Sequence, residues 1–185
     1  MIKNSKYYLS IFFLILGSFT ICLDSFSLTV DQTYEAIPHR RTIFDYNTAL
    51  MSTQEKNYLS EVFRLTDLAT VERVDMLIWL HTNGQKGRGA KNYSNILNRL
   101  NEINAPVSLV NFHKLIIESI EEQRKTLYKW ENSSFDYPKL QNEKLVRSSS
   151  AKLKRTYSIL MKKYPKEGNH NKQAFFDHLC ALDFI

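Results

Sequence analysis

Cysteine, glycine and proline are scarce in this chain: there are 2, 5 and 4 of them, respectively, among 185 residues. The sequence also has no internal repeat and no alternating polar and apolar stretch typical of a strand. Hydrophobic residues make up 43% and charged residues 24%, which is an ordinary globular composition and excludes a disordered or collagen-like chain. A chain of this length can bury enough surface in one domain to fold without metals or disulfides.

The short motifs of most catalytic and cofactor sites are also missing. There is no Cys-x-x-Cys-His string for haem, no His-Glu-x-x-His for zinc, no Gly-x-Ser-x-Gly elbow and no Walker loop. The single Glu-x-x-His string, at 167–170, lies in a predicted helix break, whereas a di-iron bundle needs two such strings on inward faces. We therefore expect no metal and no cofactor, and the sequence favours a protein that is not an enzyme.

The N-terminal segment has the features of a signal peptide. Lys3 and Lys6 precede residues 7–23, which carry no charge, and Ser25-Phe26-Ser27 then offers small residues at the spacing that a signal peptidase reads. This pattern predicts a signal peptide over 1–27 and an exported protein, either periplasmic or secreted. An uncleaved membrane anchor formed by residues 7–23 is the alternative, because a helix of about 17–25 apolar residues can cross a bilayer.

Cleavage after Ser27 would leave Cys180 as the only cysteine. No intramolecular disulfide could then form, although export would permit one. Phe175, Phe176 and Leu179 lie close to Cys180 in sequence, which predicts a buried small hydrophobic residue rather than a reactive thiol.

Two further regions follow the signal peptide. Residues 28–51 have no sustained period and contain Pro38, which predicts an extended leader. Apolar residues recur at three- and four-residue steps through 52–185, which predicts an all-α domain, a single bundle of four to five helices. Ser52 and Glu55 have capping-box spacing at the first helix. The clearest helix carries a regular seam made of Leu109, His113, Ile116, Ile120, Gln123, Leu127 and Trp130.

Two places could form a ligand site. His113 and Gln123 are polar residues on the apolar seam, where they could bind a small ligand or a metal, or could hydrogen-bond across the bundle as buried polar groups normally do. The second interpretation is favoured for the histidine. In the leader, His39, Arg40 and Arg41 could hold a carboxylate or phosphate, or could pair with bundle carboxylates and fix the leader. These five residues define the alternative hypothesis, an enzyme or a ligand- or metal-binding bundle.

A predicted helix near the C-terminus carries the basic excess of the chain. Residues 139–166 contain nine lysines and arginines against Glu143 alone, whereas the rest of the chain after Ser27 has a formal charge of −3. Such a face could bind anionic lipid or polysaccharide, or could be a solvated face partly neutralised by neighbouring acids. The residues predicted to bind are Lys152, Arg155, Lys162 and Lys163.

The leading hypothesis is therefore an exported, non-enzymatic binding protein of the cell envelope or exterior. A protein partner is also compatible with it. Export argues against nucleic acid as the natural partner.

Overall fold

The computed structural model describes residues 42–83, 89–132 and 143–184, with the side chains of 42–76, 90–132 and 143–184. All regular structure in these ranges is helical, which confirms the all-α prediction. The predicted signal peptide and residues 28–41 of the predicted leader lie outside the described residues. The elements are α1 (Thr53–Asn83), α2 (Gly89–Glu102), a 3₁₀ turn (Val107–Leu109), α3 (Val110–Glu131), α4 (Lys144–Lys163) and α5 (Asn169–Leu182). None of these helices is both long enough and apolar enough to span a bilayer.

The five helices pack in a ring. α1 packs against α2 and α5, α3 packs against α2 and α4, and α4 also packs against α5. Apolar side chains from all five helices meet inside this ring, which buries the face that each helix carries at three- and four-residue steps. The core includes Leu59, Phe63, Leu100, Phe112, Ile116, Ile120, Leu127, Leu153 and Phe175.

The start of α1 is a capping box, as the sequence predicts. The Glu55 backbone N–H donates to Ser52 Oγ over 3.3 Å, and the Ser52 backbone N–H donates to Glu55 Oε2 over 3.3 Å. Each side chain thereby satisfies a backbone donor that the first helical turn leaves without a partner. α1 is described as far as Asn83, and the stop predicted at Asn83-Gly84 extends into residues outside the described ranges.

The predicted seam of α3 is buried. Ile116, Ile120 and Leu127 are fully shielded from solvent, and Gln123 is shielded with them. His113 lies on the same face but nearer the end of the helix, where it is only half-buried.

The predicted burial of Cys180 is wrong, because Cys180 is exposed. Phe175, Leu179 and Leu182 form the buried face of α5. At 100° per residue, Cys180 and Phe176 point well away from that face. The prediction failed because neighbours in sequence are not neighbours on a helix.

Residues 42–51 lie along α5, from His178 back to the turn before the helix. The backbone N–H of Thr42 donates to Asp177 over 2.8 Å, and that of Asp45 donates to Asn171 Oδ1 over 2.8 Å. Further along, the Leu50 backbone N–H donates to Glu167 over 2.9 Å. Side chains of the bundle thus satisfy the backbone donors of a segment that has no regular structure of its own.

Candidate functional site

Of the predicted ligand residues, the structure describes only His113 and Gln123, and it does not bring these two into one site. His39, Arg40 and Arg41 lie outside the described residues. His113 and Gln123 are ten residues apart on α3, which separates them by about 15 Å along the helix axis. Each belongs to a different hydrogen-bond network.

Gln123 lies at the centre of a buried network that joins four helices. Its Nε2 donates to Ser149 Oγ over 3.1 Å and to the Leu182 carbonyl over 2.8 Å. Its Oε1 accepts from the Tyr93 hydroxyl over 3.2 Å. Ser119 Oγ lies 2.7 Å from Ser149 Oγ and extends the network along α3 and α4. Both ends of the Gln123 amide are therefore engaged in holding α2, α4 and α5 against α3.

His113 forms a hydrogen bond with Tyr58, whose hydroxyl lies 2.9 Å from His113 Nδ1. Burial lowers the pKa of His113, so the ring is neutral near pH 7. Burial also raises the pKa of Tyr58, so the phenol keeps its proton. Tyr58 is therefore the donor and His113 Nδ1 the acceptor.

Tyr58 belongs to a wider group of titratable residues at one end of the bundle, which we call the Glu55 cluster: Glu55, Tyr58, His113, Lys163 and Tyr164. Glu55 Oε1 accepts from Lys163 Nζ over 2.9 Å and from the Ser108 hydroxyl over 2.8 Å. Burial opposes ionisation of Glu55, but hydrogen bonds from Lys163, Ser108 and Ser52 outweigh it and lower its pKa to about 2. Burial, and then the charge of Glu55, raise the pKa of Tyr164.

The shifts of Glu55, Tyr58 and Tyr164 do not suit proton transfer by these groups at neutral pH. A general acid or base works best when its pKa lies near the working pH. In the Glu55 cluster the carboxylate is held ionised and the two phenols are held protonated, so their pKa values move away from neutrality. The cluster fixes the start of α1 to the end of α4, and its geometry favours a structural role.

A groove of about 350 Å³ lies between α2 and α3. Its polar groups include Arg124 and Glu121, which pair with each other over 2.7 Å. None of the predicted site residues lines it. The lining residues are Ser94, Leu97, Asn98, Asn101, Ile117, Glu121 and Arg124. Among the residues whose positions are described, no group of three or more histidines, cysteines and acids could hold a metal ion.

The four residues of the predicted binding face fall into two classes. Lys152 Nζ lies 2.6 Å from Glu122 Oε1, and Lys163 Nζ lies 2.9 Å from Glu55 Oε1. Both lysines are mostly shielded and connect α4 to other helices. Arg155 and Lys162 are exposed.

Arg155 and Lys162 belong to a longer exposed row, which we call the basic stripe: Lys144, Arg147, Lys154, Arg155 and Lys162. At 3.6 residues per turn these positions fall within an arc of about 100° on α4 and extend about 27 Å along it. In the described ranges none of the five lies in an ion pair. The helix itself contains no acidic residue. Lys144, Arg147 and Lys154 were not among the residues predicted to bind, although a helical projection places them beside Arg155.

Two aromatic rings border the basic stripe. Tyr157 of α4 meets Phe176 of α5 edge to face, with ring centroids 5.7 Å apart. The Phe176 side chain is 45% exposed. Tyr157 lies three residues after Lys154, so the aromatic pair adjoins the stripe on the side of α5.

Comparisons with protein-family models, with curated proteins and with solved structures find no match for this chain.

Proposed function

We propose that this chain is an exported, non-enzymatic helical-bundle protein that binds an anionic surface in the cell envelope or outside the cell. The basic stripe is the binding face. One observation carries the proposal, namely that five cations without ion pairs line one exposed helix face. The enzyme hypothesis has less support, because Gln123 and His113 are engaged in bonds within the bundle and the Glu55 cluster is not tuned for proton transfer.

The contrast with the neighbouring helices supports this interpretation. Arg99 lies 3.5 Å from Glu61, Lys125 lies 3.5 Å from Glu121, and Lys129 lies 2.6 Å from Glu143. The described cations of α2 and α3 other than Lys91 are therefore paired with acids, whereas those of the stripe are not. Like charges along one helix face repel one another, which costs stability, and an anionic partner would relieve this repulsion.

Neutralising the cations of the stripe tests its role directly. The stripe variant, R147Q/K154Q/R155Q/K162Q, removes four positive charges from α4. The matched control, K91Q/R99Q/K114Q/K125Q, removes four from α2 and α3. Binding to anionic vesicles and to an acidic polysaccharide is measured from low to high salt, because exposed charges are screened over about 8 Å at physiological ionic strength.

We expect the natural protein to bind at low salt and to dissociate as salt rises. The stripe variant should lose at least about tenfold in affinity, and the control variant should retain most of it. Equal losses in both variants would show that only net charge matters. No binding by the natural protein at low salt would overturn the proposal.

Export is tested separately by sequencing the N-terminus of the protein recovered outside the cytoplasm. The two lysines, the uncharged run 7–23 and Ser25-Phe26-Ser27 predict a mature chain that begins near Leu28. Recovery of the intact Met1 chain in a membrane fraction would instead support the anchor formed by residues 7–23.

A further inference from the structure

The chemistry around the basic stripe distinguishes between the possible anionic partners. The exposed face of α5 beside the stripe mixes polar residues such as Gln173 with two less polar ones: Phe176 is 45% exposed, and Cys180 is exposed one turn further along the same helix. Tyr157 supports Phe176 from α4. An exposed phenylalanine standing alone would need no explanation. Here Phe176 packs against a second ring, Tyr157, next to the basic stripe, whose cations are not in ion pairs among the described residues.

An anionic bilayer offers a partner for both features. Its headgroups attract lysines and arginines, and each such cation near the surface strengthens partitioning by about fivefold. Below the headgroups, the acyl boundary accepts aromatic rings from a helix face that lies flat on the membrane. Long basic side chains can cover apolar surface while their charged ends stay in water, so neighbouring cations and rings do not compete.

An acidic polysaccharide matches only the charge. It has no apolar interior for Phe176 to enter. A flat two-ring platform could stack on sugar rings, but the Tyr157 and Phe176 ring planes are inclined by 76°. The aromatic pair therefore presents an edge and a face rather than one surface.

We propose that the basic stripe and the Tyr157–Phe176 pair together dock this protein on an anionic lipid bilayer, with the stripe on the headgroups and Phe176 below them. This inference rests on the proposed function and names its partner. It assigns a role to Phe176, which carries no charge. If binding were purely electrostatic, substitution of Phe176 would not change the affinity.

The test compares Phe176 with an exposed ring elsewhere. Phe176→Ser removes the ring, Phe176→Leu keeps an apolar side chain, and Tyr128→Ser removes a 59%-exposed ring from α3 as the matched control. Sedimentation is measured with vesicles of phosphatidylcholine alone and with vesicles that also contain about 30% phosphatidylglycerol by mole. Binding to heparin is measured in parallel, and thermal melting of each variant shows whether it folds.

We expect the natural protein to bind the anionic vesicles and not the neutral ones. Phe176→Ser should weaken vesicle binding roughly three- to tenfold, as the loss of part of a buried ring does, while Phe176→Leu and Tyr128→Ser change it little. Heparin binding should be the same for all three variants. A dye attached to Cys180 should shift its emission to shorter wavelength on anionic vesicles, because it would enter a less polar layer.

The two proposals fail differently. If the stripe variant loses vesicle binding but Phe176→Ser does not, the face binds by charge alone and the docking inference is overturned. Binding to heparin without binding to vesicles would also overturn it, with the proposed function intact. If the natural protein binds neither probe at low salt, the proposed function itself fails.

Discussion

The ring of His178 on α5 connects α1 to the segment before it. Its Nδ1 lies 2.8 Å from Asp67 Oδ1, and its Nε2 lies 3.4 Å from the Phe44 backbone nitrogen. Because the Phe44 N–H can only donate, Nε2 must be the unprotonated nitrogen, and Nδ1 carries the proton that is given to Asp67. The imidazole also stacks on Phe63, with centroids 4.6 Å apart and planes inclined by 8°.

The first prediction concerns this arrangement. Phe replaces the ring of His178 without its two nitrogens, so His178→Phe should keep the stacking and lose both hydrogen bonds. We expect a loss of roughly 1–3 kcal/mol in the free energy of unfolding by urea, since Asp67 and the Phe44 N–H each lose this buried partner. The Phe44 amide should also exchange its hydrogen faster. His170→Phe is the control, because His170 is exposed and should change stability by less than about 0.5 kcal/mol. Equal effects would contradict the assigned role.

The second prediction is the pH dependence caused by Glu55. Its pKa in the folded protein is about 2, below the ordinary value of 4.5. The unfolded chain therefore binds this proton at higher pH than the folded one, so the stabilisation is complete above pH 4.5 and is lost as pH falls towards 2. Glu55→Gln should cost roughly 1–3 kcal/mol at pH 7, because it weakens charged hydrogen bonds to Lys163 and Ser108.

Urea unfolding at several pH values checks this prediction. The stability difference between the natural protein and Glu55→Gln should shrink between pH 4.5 and 2. Glu102→Gln, at an exposed residue near the end of α2, should leave stability nearly constant. A difference that does not change with pH would show that Glu55 acts through its shape rather than its charge.

The third prediction tests the seam of α3. Ile116 and Ile120 are fully buried, so truncation of either to Ala should cost about 2–5 kcal/mol through lost burial and the cavity that remains. Val110→Ala, at a side chain 53% exposed on the same helix, should cost less than about 0.5 kcal/mol. Thermal melting of the three variants measures these losses of stability. Melting temperatures that do not separate the two isoleucines from Val110 would contradict the assigned face.

The fourth prediction concerns Arg73, which holds the end of α5. Its guanidinium donates to the carbonyls of Ala181 and Leu182 over 2.6 and 2.9 Å. It also lies over the Phe184 ring, 5.0 Å from the centroid. A lysine has one ammonium on a flexible chain and cannot reproduce a planar fork, so Arg73→Lys should cost roughly 1.5–3 kcal/mol. Arg64→Lys, at an exposed pair with Glu61, should cost less than about 1 kcal/mol. Similar losses at both positions would argue against a role specific to Arg73.

Sequence patterns predicted the parts of this fold that depend on neighbours within one helix. The seam of α3 and the capping box at Ser52 repeat at short, fixed spacings, so period and residue type suffice. The bonds of Arg73 and His178 were not predicted, because their partners lie more than 100 residues away in the chain. Only packing of α5 against α1 brings these groups together.

Residues of the candidate site could not be assigned fully from the sequence for the same reason, namely that contacts between helices decide their roles. Lys152 and Arg155 are three residues apart on α4 and carry the same charge. Both were predicted from the sequence to bind an anionic surface, whereas the structure places only Lys152 against an acid, Glu122 on α3. Which cations remain exposed depends on the neighbouring helix, and no period within α4 contains that information.

The last prediction separates these two classes of cation by two different measurements. Arg155→Gln/Lys162→Gln removes two charges from the exposed stripe. It should leave the free energy of unfolding within about 0.5 kcal/mol of the natural value, because exposed side chains contribute little. It should, however, reduce binding to anionic vesicles. Lys152→Gln/Lys163→Gln removes the same net charge from ion pairs that are largely shielded from solvent. It should lower the free energy of unfolding by roughly 1–3 kcal/mol, because Glu122 and Glu55 lose charged partners.

The second double variant should keep most of the vesicle binding, measured at a temperature where it remains folded. Because both variants lower the net charge by two, any difference in binding between them reflects where the charges lie. If the Lys152/Lys163 variant loses as much binding as the Arg155/Lys162 variant, the partner senses total charge and the basic stripe is not a defined face. If the Arg155/Lys162 variant is the one that unfolds more easily, the assignment of exposed and paired cations on α4 is wrong.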